Sequence, residues 1–507
     1  MRPHKIAICI WVTITLLGII CFFTPIGGWH IGKWNLRWPT LSEILDSETP
    51  IDSLANDSTW LAEQNDSIVL ADRLSLLPDS LLPTDTTGVD SIVIPQDLDP
   101  HYYLTAFYNA LDSASMMQIR VIHYGDSQIE EDRITNVLRE LWQAQHGGGG
   151  VGLIPLHQTI PTSSVRQWIS INGGVQSTQG GPKRYLCYGP GSMRMKGDDY
   201  GVMGQAAAMN NALVGGSQSI IMNTAPFSKK LKSYNYYNQL RILADGITVS
   251  FRKPETGVTD SLVSGTGIFQ LPDSTTEYKI HLKGKGYVYG ISLETPTGVI
   301  VDNIPMRGCS GTIFTRIDSL MLSNFYRESN TRLIILQYGG NKIPNTKTIK
   351  GLNGYIESLR QQVRYLRACA PQASILFIGP SDMSTRINGV MTTYPMVPRM
   401  DEALAQMAKE EQIAYWSMYK AMGGHGSMVS WRRQGLAAND YVHFAKSGAT
   451  KVARLLHEWF QWTPDSLPKQ SADSTLVDSV VIGDTIIISD TTQTQQTSTT
   501  VDTTQIL

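Results

Sequence analysis

Cysteine is scarce in this chain, with five in 507 residues. Cys9 and Cys21 fall in an apolar segment at the N-terminus, and Cys187, Cys309 and Cys369 are too few and too scattered for a disulfide framework. At most one bridge can form among those three. Because neither a CxxC pair nor an HExxH motif occurs, the sequence predicts neither a structural nor a catalytic metal.

An excess of charge of one sign is also missing. Lysine and arginine number 42 and aspartate and glutamate 44, without a long basic stripe, which argues against nucleic acid as a partner. No GxSxG elbow occurs, which argues against the α/β-hydrolase fold. Gly147, Gly149 and Gly152 fit GxGxxG, but the run follows a predicted helix and not a strand. No dinucleotide site and no other cofactor is therefore predicted.

Charge is absent from residues 6–23, which follow the basic start Met1-Arg2-Pro3-His4-Lys5. An uncharged apolar run of this length can span a bilayer, which needs about 20 residues. The basic start favours a cytoplasmic N-terminus, so that the remainder is exported. We therefore predict an uncleaved transmembrane anchor over residues 1–24. A cleaved signal peptide is the alternative, but no small-x-small cleavage site follows the apolar run.

Low-complexity sequence flanks the centre of the chain. Residues 25–98 are rich in Ser, Asp, Thr, Leu and Pro, which is typical of a linker, and residues 463–507 predict a disordered Ser/Thr/Asp-rich tail. The hexapeptide at 89–94, VDSIVI, recurs nearly unchanged at 477–482 as VDSVVI. Shared composition explains this repeat, and two short strands that bind a common edge are the alternative.

Strand-like and helix-like patterns alternate over residues 99–157 and 298–462. Ile119–Tyr124 is a short apolar run, and apolar residues at helical spacing follow it as far as Leu141. The later strand candidates are Gly298–Ile304, Leu333–Tyr338, Ile375–Ile378 and Ile413–Trp416. The helix candidates are Ile317–Tyr326, Ile356–Ala368, Met400–Lys409 and Ala449–Phe460. This alternation predicts an α/β domain with a parallel sheet covered on both faces.

Residues 158–297 interrupt the alternation with short strand candidates separated by turn residues. These candidates are Leu240–Leu243, Ile247–Phe251, Gly267–Leu271, Tyr278–Leu282 and Tyr287–Leu293. Their spacing predicts a β-sandwich-like domain inserted into the α/β domain, where an insertion can shape a binding cleft. Its aromatic residues are typical of β-sandwich core or edges, and stacking on sugar rings is the alternative for Tyr234, Tyr236, Tyr237, Tyr287 and Tyr289.

Ser127 stands where an α/β sheet presents a nucleophile, directly after the first predicted strand and before a helix. Asp440 and His443 lie in a loop just before the last predicted helix. The carboxyl ends of parallel strands converge on one face, and a serine hydroxyl needs a neutral imidazole held by a carboxylate. We therefore predict Ser127 as nucleophile, His443 as general base and Asp440 as the residue that orients it.

An oxyanion needs hydrogen-bond donors, and two loops after predicted strands offer them. The first spans 306–312 and the second 337–341. We predict an oxyanion hole formed by the backbone N–H groups of Ser127 and Gly311 with the side-chain amide of Asn341. Gly308 is the alternative glycine, and Asn341 could instead cap a turn.

These segments resemble the four blocks of the SGNH, or GDSL, hydrolase superfamily. The blocks correspond to Gly125-Asp126-Ser127, Ser310-Gly311, Gly339-Gly340-Asn341 and Asp440-x-x-His443, in the family order. The resemblance covers about 101–157 and 298–462, and it implies a three-layer α/β/α sandwich. Lys342 departs from the pattern, because many members carry an acid after the asparagine.

The stretch Ile119–Ser127, with Asp132–Thr135 and the Gly-rich turn at 147–152, is similar to bacterial peptidoglycan O-acetylesterases. Those enzymes also carry a β-rich, carbohydrate-module-like insert between the first two blocks. The resemblance implies a serine esterase that removes O-acyl groups, foremost acetyl, from a cell-wall or secreted carbohydrate. Together with the predicted anchor through residues 6–23, it implies a bacterial inner-membrane protein with its catalytic domain in the periplasm. A periplasmic O-acetyltransferase that uses the same residues and a non-catalytic polysaccharide-binding scaffold remain alternatives.

Overall fold

The computed structural model describes residues 29–31, 34–36, 98–171, 174–175, 182–209, 218–226, 235–252, 259–271 and 278–461. The predicted anchor, nearly all of the linker, the tail, both hexapeptides and Tyr234 lie outside these residues. The chain divides into the units Met1–Asp465 and Ser466–Leu507, and all that follows concerns the first unit. Within the described residues, no helix is both long and apolar enough to cross a bilayer.

The described residues form strands, α-helices and short 3-10 helices. The strands are β1 Trp29–Ile31, β2 Trp34–Leu36, β3 Gln118–Gly125, β4 Gly152–Ile154, β5 Val165–Ile171, β6 Gly174–Val175, β7 Arg184–Leu186, β8 Gln205–Met209, β9 Gln218–Pro226, β10 Gln239–Arg252, β11 Thr259–Ser264, β12 Gly267–Gln270, β13 Tyr278–Glu294, β14 Gly298–Pro305, β15 Thr331–Gln337, β16 Ser374–Ile378, β17 Ser384–Ile387, β18 Val390–Thr393 and β19 Ala414–Trp416. The helices are α1 Thr105–Leu111, α2 Thr135–His146, α3 Ser319–Glu328, α4 Ile349–Cys369, α5 Met396–Glu410, α6 Met418–Met422, α7 Ser427–Arg433 and α8 Lys446–Gln461. The 3-10 helices are Pro100–Leu104, Ser127–Asp132, Gly191–Met193, Phe314–Arg316 and Gly340–Asn345.

Five parallel strands form the central sheet, in the order β14-β3-β15-β16-β19. Counted along the chain, this order is 2-1-3-4-5, and it reverses direction at β3. Ligands of open parallel sheets bind at such a reversal, beyond the carboxyl ends of the strands. The α/β class with a parallel sheet, predicted from the alternation, is confirmed.

Helices cover both faces of this sheet, because β3 has apolar side chains on each of its two faces. Ile119 and Val121 pack in a core that includes apolar residues of α1, α2 and α8. Ile122 and Tyr124 pack in the opposite core, which includes residues of α3, α4 and α5. A strand buried on both faces needs apolar side chains that point to either face, which explains the mainly apolar run that predicted it.

The inserted segment builds one antiparallel network of ten strands around its own apolar core. Its longest strand, β13, pairs with β10 over most of its length and also with β4, β8 and β9. β4 joins this network although it precedes position 158. The network therefore receives a strand from the segment that links α2 to the insert.

A buried ionic cluster joins the network to the parallel sheet. Arg120 on β3 donates from Nη1 to both carboxylate oxygens of Asp302 on β14, at 2.7 and 2.8 Å, and its Nη2 pairs with Glu294 at the end of β13. Glu294 also pairs with Arg241 on β10, at 3.1 Å. The backbone N–H of Leu153 on β4 donates to Asp302. Two arginines and two carboxylates thus neutralise each other at the contact between the two sheets.

Candidate active site

Three predicted blocks meet at the carboxyl edge of the parallel sheet. The register pairs Gly125 of β3 with Pro305 of β14 on one side and with Gln337 of β15 on the other. The loops that follow these three strands therefore start at one level. The Met306 N–H extends the pairing by donating to the Gly125 carbonyl at 2.7 Å. The reversal of strand order at β3 places Ser127 between two loops that offer backbone donors.

The structure brings Ser127, His443 and Asp440 together in one hydrogen-bonded row. The Oγ atom of Ser127 lies 2.8 Å from Nε2 of His443, and Nδ1 of His443 lies 2.7 Å from Oδ2 of Asp440. Ser127 and His443 are 316 residues apart in the chain. Such a row lets the imidazole accept the serine proton while the carboxylate stabilises the charge that then develops on the ring.

The Asp440–His443 pair is built by a local turn. The second carboxylate oxygen of Asp440 accepts the backbone N–H groups of Val442 and His443, both at 3.0 Å. Tyr441 between them has a φ of 56°, a conformation that non-glycine residues rarely adopt. Aspartate favours such turns because its side chain can accept from backbone groups two and three residues ahead. The x-x spacing in the predicted motif is therefore what lets one carboxylate fix both the loop and the imidazole.

The Asp440 carboxylate stays ionised throughout the neutral range. Burial alone would raise its pKa, but the hydrogen bonds from the His443 ring and from the two backbone N–H groups outweigh burial and lower the pKa to about 2. The sign follows from this direction: its interactions are fully present above the ordinary aspartate pKa and are lost as the pH falls towards 2. Acid inactivation at mild pH is therefore not expected to come from Asp440.

Gln128 connects the turn that carries Ser127 to the loop that carries His443. This role of Gln128 was not predicted from the sequence. Its Nε2 donates to the Val442 carbonyl at 2.6 Å and to Ser381 Oγ at 3.3 Å. The side chain is buried. No sequence pattern predicts this contact, because a glutamine next to Ser127 has no fixed partner until the fold brings the distant loop beside it.

Asn341 lies at the site, but its amide hydrogens are already engaged. Its Nδ2 donates to Oδ2 of Asp126 and to the carbonyl of Cys309, both at 3.0 Å. One of these bonds would have to be exchanged for the substrate oxygen if Asn341 is to serve as an oxyanion donor. Its role in the oxyanion hole stays a prediction.

Gly311 occupies a tight corner of the loop after β14. Its φ is 85°, and its backbone N–H points to the Cys309 thiol at 3.2 Å. Sulfur is a weak acceptor, so this N–H can be given up readily to a stronger one. Ser127 itself is partly exposed, and the Ser127 and Gly311 N–H groups remain the predicted backbone donors.

Substitution of this glycine offers a sharp test against its neighbour Gly308. A Cβ at Gly311 would lie 2.8 Å from the Tyr338 ring, whereas a Cβ at Gly308, which also has a positive φ, would meet nothing within 4 Å. Both Gly→Ala changes carry a backbone cost of about 1–2 kcal/mol. We expect Gly311→Ala to lower kcat at least about 10-fold in ester hydrolysis and Gly308→Ala to change it less than about 3-fold. The reverse order of effects would make Gly308 the glycine of the oxyanion hole.

Asp126 is buried and acts in a different way from Asp440. Its Oδ1 accepts the Gln128 N–H at 2.9 Å and its Oδ2 the Asn341 amide, so the carboxyl joins two loops of the site. Burial raises its pKa from 3.8 to about 6, although hydrogen bonds and the nearby His443 act in the opposite direction. These contacts make Asp126 a residue that stabilises the loops of the site.

The raised pKa of Asp126 predicts a pH-dependent stability. Between about pH 4 and pH 6 the folded protein binds this proton more tightly than the unfolded chain does, so its contribution is full below pH 4 and is lost as the pH rises through 6. A rise from 3.8 to about 6 corresponds to roughly 3 kcal/mol at most. Urea titrations at pH 4 and pH 7 should show that Asp126→Asn loses less stability over this interval than wild type. The exposed-site variant Asp112→Asn serves as control, and an unchanged difference in Asp126→Asn would contradict the prediction.

The turn that carries Ser127 is strained and is held by the insert. Glu131 and Asp132 have φ values of 61° and 58°. The Ser163 N–H and hydroxyl both donate to the Glu131 carbonyl, at 2.8 and 2.7 Å. Strained backbone persists only where its surroundings over-determine it, and it concentrates at functional sites. The segment before β5 therefore helps to fix the position of Ser127.

A further ion pair ties this turn to the loop after β14. Arg307 Nε donates to Glu130 Oε1 at 2.9 Å, and its Nη2 pairs with the other carboxylate oxygen. Glu130 is buried, whereas the Arg307 side chain is 64% exposed. The two parallel hydrogen bonds from the guanidinium to the carboxylate fix both the direction and the distance of the pair, so they connect the turn that carries Ser127 to the loop after β14.

Several other titratable groups are buried in the core. His123 is fully buried between Gln337 Oε1 and Thr135 Oγ1, both at 3.0 Å, and burial lowers its pKa to about 4. Cys187, Cys309 and Cys369 are buried thiols. In the part of the chain that the structure describes, no three His, Cys, Asp or Glu side chains are grouped so that they could hold a metal.

Comparison with known proteins supports the fold. No protein-family model and no curated protein matches the chain. Among solved structures, a peptidoglycan O-acetylesterase is 21% identical, over 71% of this chain and 95% of that one, with a TM-score of 0.54. An acetyl xylan esterase (11% identical, 32% of this chain and 81% of that one, TM-score 0.24) and a GDSL-like lipase from Parabacteroides merdae (14%, 32% and 72%, 0.24) also match. The first likeness confirms the fold that the resemblance to SGNH hydrolases implies. Nothing further rests on the two partial matches.

Proposed function

We propose that this chain is a serine esterase that removes O-acetyl groups from a cell-envelope carbohydrate. The observation that carries the proposal is the row Ser127–His443–Asp440, with hydrogen bonds of 2.8 and 2.7 Å at the carboxyl edge of a parallel sheet. An aligned serine, imidazole and carboxylate is the arrangement that activates a hydroxyl for acyl transfer.

The reaction proceeds through an acyl-serine. Ser127 Oγ attacks the ester carbonyl while His443 Nε2 takes its proton, and the N–H groups of Ser127 and Gly311 with the Asn341 amide stabilise the oxyanion. His443 then returns the proton to the sugar oxygen as the C–O bond breaks, which leaves the acetyl group on Ser127. A water molecule then attacks the acetyl carbonyl while His443 Nε2 takes a proton from it. His443 returns this proton to Ser127 Oγ as the bond between Oγ and the acetyl carbon breaks, and acetate leaves. Asp440 keeps the ring oriented in both halves.

The proposal also specifies the carbohydrate substrate and the location of the protein in the cell. Peptidoglycan is the favoured polymer because the solved structure with the same fold is a peptidoglycan O-acetylesterase. The uncharged run 6–23 and the basic residues before it support a single-pass anchor in a bacterial inner membrane, with the catalytic domain in the periplasm.

Acetate release from defined polymers tests the proposal. The full-length chain, purified in detergent, should release acetate from O-acetylated peptidoglycan, and faster than from acetylated xylan. The same digest with an unacetylated oligosaccharide added is weighed by mass spectrometry. Acetylated oligosaccharide in place of free acetate would show the O-acetyltransferase instead, since water and sugar hydroxyls compete for the same acyl-serine. A folded protein that forms no acyl-enzyme with any of these esters would favour the non-catalytic scaffold.

A further inference from the structure

A cavity of about 280 Å³ lies where the insert meets the α/β body. The wall on the body side includes Glu130, in the turn that carries Ser127, and Arg307, in the loop after β14. The wall on the insert side includes Arg184 of β7 and Tyr188 just after it. Ser127, Asp440 and His443 do not line it. The cavity is therefore a separate compartment that shares a turn with the nucleophile.

The acidic side chains of this cavity are all paired with arginines. The pairs are Glu130–Arg307, Asp132–Arg139 and Glu131–Arg133. Each of the three carboxylates thereby has a guanidinium as partner. An incoming anion would meet no unpaired negative charge among the described lining residues.

Arg184 differs from the other arginines of the wall because its partners are neutral. Its Nη1 donates to Thr159 Oγ1 at 2.7 Å and its Nη2 to Gln205 Oε1 at 3.1 Å. Its Nε is buried and has no hydrogen-bond partner among the residues that the structure describes. Within the described residues, Arg184 forms no ion pair. A guanidinium held by two side chains with its charge uncompensated and donors unused is prepared for an anionic ligand, and its planar fork matches a carboxylate.

The remaining lining is suited to a sugar ring next to that anion. Leu186 and Met203 provide apolar surface, and Tyr188 adds an aromatic ring. His157 is buried, and burial, together with the positive charge of Arg184, lowers its pKa below 6.5, so it presents a neutral ring at pH 7. A neutral imidazole both donates and accepts, as recognition of hydroxyl or amide groups requires. Small-ligand sites combine such apolar walls with a few placed polar groups.

We propose that this cavity is a subsite for a carboxylate-bearing part of the glycan whose ester is cleaved at Ser127, with Arg184 as the residue that binds the carboxylate. The inference rests on the proposed function and extends it, because it assigns the substrate to the acidic glycans. The carboxylate can belong to a sugar acid or to a peptide attached to the sugar, and both present the same group to the guanidinium. Binding here would orient the polymer across the turn Ser127–Asp132 and so present its ester to the nucleophile.

Equilibrium binding tests the subsite independently of hydrolysis. Isothermal calorimetry with the full-length Ser127→Ala chain compares three probes of similar length: a uronic-acid oligosaccharide, a glycan that carries a peptide with a free carboxylate, and a neutral chito-oligosaccharide. Arg184→Gln, added to this background, should raise the Kd of a carboxylate probe by about 10- to 100-fold, the range for a charge-assisted bidentate bond. Arg184→Lys, which keeps the charge without the fork, should lie between. Arg166→Gln, on the exposed side of β5, is the matched control and should leave the Kd unchanged.

The outcomes separate the two levels of inference. Tighter binding of one carboxylate probe than of the neutral one, lost in Arg184→Gln and kept in Arg166→Gln, supports the subsite and names the source of the carboxylate. Equal binding of charged and neutral probes, no binding of any probe, or equal losses in the two variants overturns it. Acetate release by the wild-type chain is measured separately, so failure of the esterase proposal appears there and not in the calorimetry.

Discussion

Ser127→Ala should lower kcat for ester hydrolysis by at least about 1000-fold while the protein stays folded. The Ser127 hydroxyl bonds to His443 at 2.8 Å and the residue is partly exposed, so its removal opens no cavity in the core. The free energy of unfolding should therefore change by less than about 1 kcal/mol. Ser430→Ala, an exposed serine on α7, is the matched control and should retain wild-type turnover.

The three residues of the row should also behave as a unit. Once the nucleophile is missing, the imidazole has no proton to accept, so Ser127→Ala combined with His443→Ala should lose little more than Ser127→Ala alone. Undiminished hydrolysis in the Ser127→Ala chain would refute the assignment. Losses that multiply in the double variant would mean that His443 acts on some other step.

Asp302→Ala should lower the free energy of unfolding more than any of the other substitutions. Asp302 is fully buried, and its carboxylate accepts two bonds from Arg120 and one from the Leu153 N–H. In Asp302→Ala the arginine cluster keeps two positive charges against one carboxylate, Glu294. Breaking a buried ion pair by deleting one partner costs about 3–5 kcal/mol, because the remaining charge stays buried without compensation.

Urea denaturation at neutral pH measures this loss. Glu357→Ala removes the half-exposed partner of Arg360 on α4 and should cost less than about 1 kcal/mol, as surface pairs do. Asp302→Asn keeps an acceptor for the Leu153 N–H and should fall between the two. A cost for Asp302→Ala no larger than for Glu357→Ala would mean that the junction is solvated or that it rearranges.

The sequence predicted the parallel sheet well because its strands are buried on both faces. Such strands are mainly apolar runs, and β14, β15, β16 and β19 all lie within two residues of their predicted bounds at each end. Helix α4 begins at Ile349, seven residues before the predicted start. Its first turns contain Gly351 and Gly354, which weaken the helical pattern, while the Thr348 side chain caps the Gly351 N–H at 3.1 Å.

The insert was harder to predict because its long strands contain bulges. Asp245-Gly246 reads as a turn between two strands, yet both residues lie within the single strand β10, where the pairing with β13 shifts register. Gly246 adopts a φ of 67° there, and a Cβ would lie 2.4 Å from the Lys285 carbonyl. β13 likewise replaces two predicted strands. A bulge interrupts the two-residue alternation just as a turn does, so the pattern alone does not separate them.

Some contacts of the site could be predicted from the sequence and others could not. The row Ser127–His443–Asp440 follows from the motif order and the strand ends, but its supporting contacts do not. Gln128 and the Glu130–Arg307 pair depend on which distant loops the fold brings together. The engaged amide of Asn341 is likewise a property of the folded site, because its partners come from two other loops.

Strands that are neighbours in the parallel sheet can lie far apart in the sequence, and this distance sets the order in which the domain can fold. Arg120 on β3 and Asp302 on β14 bond directly although 182 residues separate them, and the whole insert lies between. The entropic cost of closing such a loop grows only with the logarithm of its length, and a folded insert lowers it further because β13 ends next to the start of β14. During synthesis β3 can pair with the edge strand β14 only after the whole insert has been made. Ser127 can bond to His443 only after another 316 residues have been added. A ribosome-bound chain that has folded every strand up to β16 would therefore still lack the hydrogen bond between Ser127 and His443, which can form only when the last loop has emerged and docked.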